Sequence, residues 1–141
     1  MKYIVSEEMS AQHGHASSAI GFEFQLLDDL HHPDAKLGRE GNRTIDGLYD
    51  IYAPAATKPA VGAGEWHQGC VRAERDRIRH SLDGAVVLEY RVSDADFKKR
   101  VAASKFAPIS SFAEQRAGHI VLQDHLDELW YRKIRIRRLA R

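Results

Sequence analysis

Residues Gly118 to Arg132 read GHIVLQDHLDELWYR, and the fold turns on how this stretch is read. Alternation puts Ile120 and Leu122 on one face of a strand and His119, Gln123 and His125 on the other. The first face is expected to be core and the second is free to meet a ligand. Asp124-His125-Leu126-Asp127 forms a polar corner suited to a tight turn, and Leu129 to Arg138 reads as a second strand with Ile134 and Ile136 on its buried side. The expected unit is a β-hairpin carrying a Gln, a carboxylate and an imidazole at one end.

Working outward, Phe22 to Leu27 is a strand with Phe22, Phe24 and Leu26 on one face and Glu23, Gln25 and Leu27 on the other. Periodicity by itself makes Glu23 and Gln25 a solvated outer face. Lys2 to Val5 is a short strand, Ser10 to Ser18 a small polar loop, and Leu48 to Ala53 a strand presenting Tyr49 and Asp50. The Pro and Gly content of Ala55 to Gly64 marks a long surface loop. Glu65 to Glu74, Ile78 to Leu82 and Ala85 to Tyr90 follow as strands, with a turn at Asp76 and the strong hairpin signal Asp83-Gly84. Ser93 to Ser104 is the one helix-like segment: Ser93 suits the N-cap, and Phe97 and Val101 share a face over residues 94 to 103.

Several segments in this order resemble the 3-keto-disaccharide hydrolase domain family. They are GFEFQLLDD at 21 to 29, HPDA at 32 to 35, LYDIYAP at 48 to 54, GEW at 64 to 66, RHSLDG at 79 to 84, SKF at 104 to 106, and GHIVLQDH followed by WYRKIRIRRL. The resemblance implies an all-β, concanavalin-like jelly-roll sandwich made of one domain over residues 1 to 141, incomplete at its N-terminal side. In the family, the strand like Lys2 to Val5 follows several earlier ones. Such a sandwich is expected to self-associate or to take strands from a partner. The chain departs from the family pattern at Ser81, which replaces a Trp and removes a large aromatic surface, and at Lys133, which replaces an Asn.

Composition sets bounds on partners. The 141 residues carry 21 Lys and Arg against 20 Asp and Glu, a net charge of +1 that points neither to nucleic acid nor to an anionic membrane. The arginines of Arg132 to Arg141 alternate with Ile134, Ile136 and Leu139, as in a strand with a solvated face. Cys70 is alone, so no intrachain disulfide is expected. No apolar run reaches the roughly 20 residues of a membrane span, and nothing in the chain reads as an export signal, although members of the family are commonly exported. The compartment is not readable from the sequence.

Two carboxyls about 5 to 5.5 Å or about 6.5 to 9.5 Å apart would serve ordinary glycoside hydrolysis, and Glu23 with Asp28, Asp50 or Asp124 supplies the residue types. The resemblance implies another route, in which a ketone at C3 acidifies the C2 hydrogen and the C1 substituent is expelled. That route needs a base, a group for the enolate oxygen and an acid at the leaving oxygen. Glu23 and His125 are the candidate acid and base in either order, and His80 and Lys105 the candidates facing the enolate. Gln25, Asp28, Tyr49, Gln123 and Asp124 are candidates for binding sugar hydroxyls. At Asp124 and His125 a hairpin corner bonded to its own backbone is an equal reading. No cofactor is expected, and no metal: His13-x-His15 lacks companion ligands, and Asp28-Asp29-Leu30-His31-His32-Pro33-Asp34 reads first as a turn. A carbohydrate-binding module or an inactive fragment remain the competing readings.

Overall fold

A computed structural model of the protein describes residues 1–13 and 19–139. Its strands form two antiparallel sheets. In the first, β1 (Lys2–Ser6) lies between β2 (Ile20–Glu23) and β6 (His119–Val121); in the second, β3 (Gly69–Glu74), β4 (Arg77–Leu82) and β5 (Ala85–Arg91) make a meander. The sheets face each other across one core, a β-sandwich, and the join is direct. The Tyr3 hydroxyl on β1 bonds His80 Nε2 on β4 at 2.7 Å and the Tyr90 hydroxyl on β5 at 2.8 Å.

Alternation builds each inner face. Ile78, His80 and Leu82 are the buried residues of β4 and share one parity. On β5 the buried pair is Val87 and Tyr90, three positions apart, because the register against β4 shifts between His80 and Ser81 and adds one residue to β5. The two-residue turn Asp83-Gly84 has φ of +47° and +85°, the left-handed pair that matches the twist of a hairpin. Phe22, Phe24, Phe97 and Phe112 are fully buried, and each contributes about 1.5–3 kcal/mol relative to an exposed ring.

Two helices close the sides. In α1 (Glu7–His13) the Ser6 hydroxyl accepts from the Met9 N–H at 3.1 Å, Glu7 and Glu8 sit in the first turn, and Met9 is buried. Ser10 to His13 are therefore helical rather than the start of a polar loop, whereas His15 lies outside the described residues. In α2 (Ala95–Ala102) Phe97 and Val101 enter the core as expected. The N-cap is Asp94, not Ser93, because the Ser93 hydroxyl donates to Asp76 at 2.7 Å.

Three strand expectations are corrected. Leu48 to Ala53 is a turn closed by bridges from Leu48 to Phe24 and Tyr52, since Asp50 takes a left-handed φ of +62° that breaks an extended run. Leu129 to Arg138 is not a strand: no described residue pairs with it, and Ile134 and Ile136 are 62% and 77% exposed. Ile120 and Leu122 are likewise 53% and 43% exposed, on and just beyond the short edge strand β6. Among the described residues no helix is long and apolar enough to cross a membrane.

β1 is kinked where both neighbours press on it. Ile4 has a φ of +52°, strained for a β-branched residue, and the register against β2 and β6 shifts around it. Gly21 and Gly118 make room for the kink. A Cβ on Gly21 would lie 2.7 Å from Val5 Cγ2, and one on Gly118 would lie 2.7 Å from the Ile4 carbonyl carbon.

Candidate functional site

The kinked sheet sets the site. Register places Lys2 opposite both Glu23 on β2 and Val121 on β6, so the three side chains share one row. Lys2 Nζ lies 3.7 Å from Glu23 Oε2 and donates to the Ala19 carbonyl at 2.8 Å. Glu23 also fixes the next segment through its backbone, accepting from the Tyr49 N–H at 3.0 Å. Tyr49 is thereby carried to the edge of the same face.

Asp50 organises that edge. It is buried, accepts Arg43 Nε at 2.9 Å on one oxygen and the Lys105 N–H at 2.7 Å on the other, and so ties the 43–50 turn to the chain leaving α2. Arg43 also donates to Asp34 at 2.9 Å, and its guanidinium lies 5.2 Å from the centre of the Tyr49 ring. The Lys105 ammonium sits 4.0 Å from that ring centre. Burial pushes the Tyr49 phenol well above its ordinary value, reinforced by the Asp34 carboxylate. Burial holds the Lys105 ammonium below the ordinary lysine value; Glu23 opposes the shift and Lys2 adds to it.

Glu23, Gln25, Asp28, Tyr49 and Lys105 line one wall of a broad cavity of about 3680 Å³, and Gln123, Asp124 and His125 lie on the segment that forms the other. This volume is several times that of a small-molecule pocket, since residues 122–139 stand away from the sheets. They are pinned by a contact between His32 Nε2 and the Asp127 carboxylate at 3.4 Å and by the Arg132 guanidinium 4.0 Å from the Trp66 ring centre.

Within the cavity the predicted residues differ in how they are held. Gln25 is buried, and its amide reaches the Arg43 carbonyl at 3.4 Å. Asp28 caps its own turn, accepting from the Leu30 and His31 N–H groups at 2.9 and 3.2 Å and from His31 Nδ1 at 2.7 Å; these bonds, the His31 ring first, hold its carboxyl below the usual range. Asp124 accepts the Leu126 N–H at 2.9 Å, a corner bonded to its own backbone. His125 is exposed on unpaired backbone. Asp28 and Asp50 are each committed to several other bonds, so neither is a free carboxyl partner for Glu23.

His80 is the predicted site residue that the structure takes away from the cavity. It is fully buried, with Nε2 on Tyr3 and Nδ1 on the Asp46 carbonyl at 2.8 Å, and burial lowers its pKa to about 4. It is a neutral core imidazole that no ligand in the cavity touches. The RHSLDG motif suggests a site residue here, whereas the inward parity of Ile78, His80 and Leu82 points His80 to the core.

Lys2, Asp34 and Arg43 were not singled out from the sequence. Only the Lys2-to-Glu23 register identifies the first, and the contact between residues 34, 43 and 50 identifies the others. Asp46 was also missed, although Asp46-Gly47 is a turn signal. Its carboxylate is fully buried with neither oxygen hydrogen-bonded among the described residues, its φ is +67°, and burial raises its pKa to about 7. No group of three or more His, Cys, Asp or Glu side chains arranged to hold a metal occurs among the described residues.

Comparison with known proteins adds to this geometry. The sequence profile of the 3-keto-alpha-glucoside-1,2-lyase-like domain matches residues 3–137. A 3-keto-disaccharide hydrolase of Bacteroides thetaiotaomicron is 35% identical over 125 residues, covering 82% of this chain and 43% of that protein. A crystal structure of a candidate glycosyl hydrolase from Parabacteroides distasonis superposes with a TM-score of 0.55 at 25% identity, covering 67% of this chain and 44% of that one. The chain thus spans less than half the length of either relative.

Proposed function

This chain belongs to the 3-keto-alpha-glucoside-1,2-lyase-like domain family, and from that membership we propose that it forms part of a glycoside-cleaving enzyme acting on 3-keto-glycosides. The carrying observation is that Glu23 shares a cavity wall with the Lys105 ammonium. Ordinary glycosidases need a second carboxyl at a set distance, which the bonded Asp28 and Asp50 are not free to supply. A carboxylate beside a cation meets the requirements of elimination next to a ketone. Glu23 removes the C2 hydrogen, the cation faces the oxygen on C3 as negative charge develops there, and His125 protonates the departing oxygen on C1. Water adds afterwards if hydrolysis is the net result.

Tyr49 and Gln25 stand beside Glu23 in the cavity lining as the groups for sugar hydroxyls, and the Arg43, Asp34 and Asp50 network holds Tyr49 and Lys105 in place. Trp66 and Trp130 also line the cavity and are 49% and 66% exposed. Flat aromatic surfaces of this kind favour the alternative of a carbohydrate-binding module.

A matched pair of substrates separates the readings. The chain is incubated with a 3-keto-glucoside and with the parent glucoside, and release of the aglycone is followed. Turnover of the ketone alone is expected. Saturable binding of both without release replaces the enzyme reading with the binding module, and release from both at equal rates removes the ketone from the mechanism.

A further inference from the structure

We propose that Lys105 acts as a nucleophile that forms an iminium ion with the C3 ketone of the substrate, a step that rests on the 3-keto-glycoside reading above. Three features of its position support the assignment. The side-chain nitrogen makes no ion pair or hydrogen bond with a carboxylate among the described residues, although Glu23 and Asp50 are its nearest acidic neighbours. Its backbone is fixed by the bond from its N–H to Asp50, and its stem passes the Phe106 and Tyr49 rings with the nitrogen 5.1 and 4.0 Å from their centres. Lys2 and Arg43, both cationic, stand on the same edge. An amine beside other cations loses its proton more readily than an isolated one, which is how lysines are prepared for carbonyl addition. Burial lowers its pKa in the same sense, against the attraction of the Tyr49 face for the ammonium.

The chemistry balances without any added reagent. The neutral amine adds to C3, and the hydroxyl of the resulting carbinolamine takes a proton from solvent and leaves as water, giving the iminium; hydrolysis at the end of the cycle returns that proton. Glu23 takes the C2 proton, and the electron pair of that C–H bond moves into a C2–C3 double bond as the nitrogen becomes neutral. Those electrons then expel the C1 oxygen, which takes a proton from His125 and departs as the alcohol, leaving a C1–C2 double bond conjugated with a restored iminium. Water returns the ketone and frees Lys105. An iminium is a stronger electron acceptor than a ketone, so the C2 hydrogen is more acidic than a hydrogen-bonded carbonyl would make it.

Reductive trapping tests the step on the full chain. The protein is mixed with a 3-keto-glucoside and sodium cyanoborohydride, which reduces iminium ions in preference to ketones, and adducts are located by peptide mass spectrometry. The expected result is an adduct on Lys105 that is absent with the parent glucoside, absent in Lys105→Arg and retained in Lys98→Arg, a substitution on the exposed face of α2. Lys105→Arg keeps the positive charge but cannot form the adduct, so its turnover should fall by about a hundredfold or more. Substrate turnover with no adduct on Lys105, or with Lys105→Arg at the wild-type rate, overturns the inference and leaves the proposed function intact. Adducts spread equally over surface lysines overturn it as well. Absence of both binding and turnover overturns the inference together with the reading beneath it.

Discussion

Replacing Asp46 with Asn should make the protein more stable at neutral pH, and the expected amount follows from the burial of one carboxyl. Asp46 is sealed from solvent, neither of its oxygens is bonded among the described residues, and its pKa of about 7 compares with 3.8 in the unfolded chain. Below pH 3.8 both states hold the proton and nothing is lost. As the pH rises toward 7 the unfolded state ionises while the folded state stays protonated, so stability falls by about 1.36 kcal/mol per pH unit. Above pH 7 the loss levels off at up to about 4 kcal/mol. Asn is nearly isosteric and tolerates the φ of +67° at this position, and the backbone bonds of residue 46 to Gln25 and His80 are unaffected by the side chain.

His80 changes stability in the opposite direction. Its folded pKa of about 4 lies below its ordinary 6.5, so its contribution is complete above pH 6.5 and is lost as the pH falls toward 4. In the wild type the two residues nearly cancel between about pH 4 and 6.5. The difference between wild type and Asp46→Asn isolates the carboxyl. Urea unfolding at half-unit steps from pH 4 to 8.5 measures it, and the gap should widen with rising pH until about pH 7. Parallel curves across that window would show that Asp46 is ionised in the folded protein or finds a partner there, and would refute the argument.

Other perturbations separate chemistry from packing. Glu23→Gln should reduce turnover of a 3-keto-glucoside by about a hundredfold to ten-thousandfold in initial-rate assays, while the melting temperature moves little. Phe24→Ala should do the reverse, since this buried ring packs edge-on against His80 with centroids 4.9 Å apart; chemical unfolding should record a loss of about 3–5 kcal/mol. Gly118→Ala should cost about 1–3 kcal/mol in the same assay, as its Cβ would press on the backbone of Ile4 and Val5. Limited proteolysis should cut first within residues 122–139, where Leu126, Trp130, Ile134 and Ile136 are exposed, leaving a core that melts as the intact chain does.

The meander was legible because its signals are local. Asp83-Gly84 specifies the turn, and the alternation of Ile78, His80 and Leu82 identifies the inner face. The same rule failed at Ile120, Leu122, Ile134 and Ile136, because alternation states which residues could be covered and says nothing of what covers them. The 48–53 segment was misread because a buried hydrogen-bond hub at Asp50, rather than propensity, sets its backbone. At the site, Glu23 and Lys105 were legible as residue types in recognisable motifs. Their neighbours Lys2, Asp34 and Arg43 were not, since each arrives through a contact that no sequence spacing records. His80 was assigned to the cavity from its motif although its own strand parity turned it inward.

The central position of β1 has a kinetic consequence. Its partners are β2, close in the chain, and β6, with Lys2 opposite Val121, whereas β3, β4 and β5 follow one another through short turns. Closing a loop of about 120 residues costs about 2 kcal/mol more entropy than closing one of about 10. The meander therefore has the easier nucleus, and the β1–β6 pairing is the late event in refolding. Gln123, Asp124 and His125 follow β6 directly, so the second cavity wall is placed only after this step. In a refolding time course, burial of Tyr90 should be recorded before binding competence returns, with the interval between them set by the search of one short strand for its most distant partner.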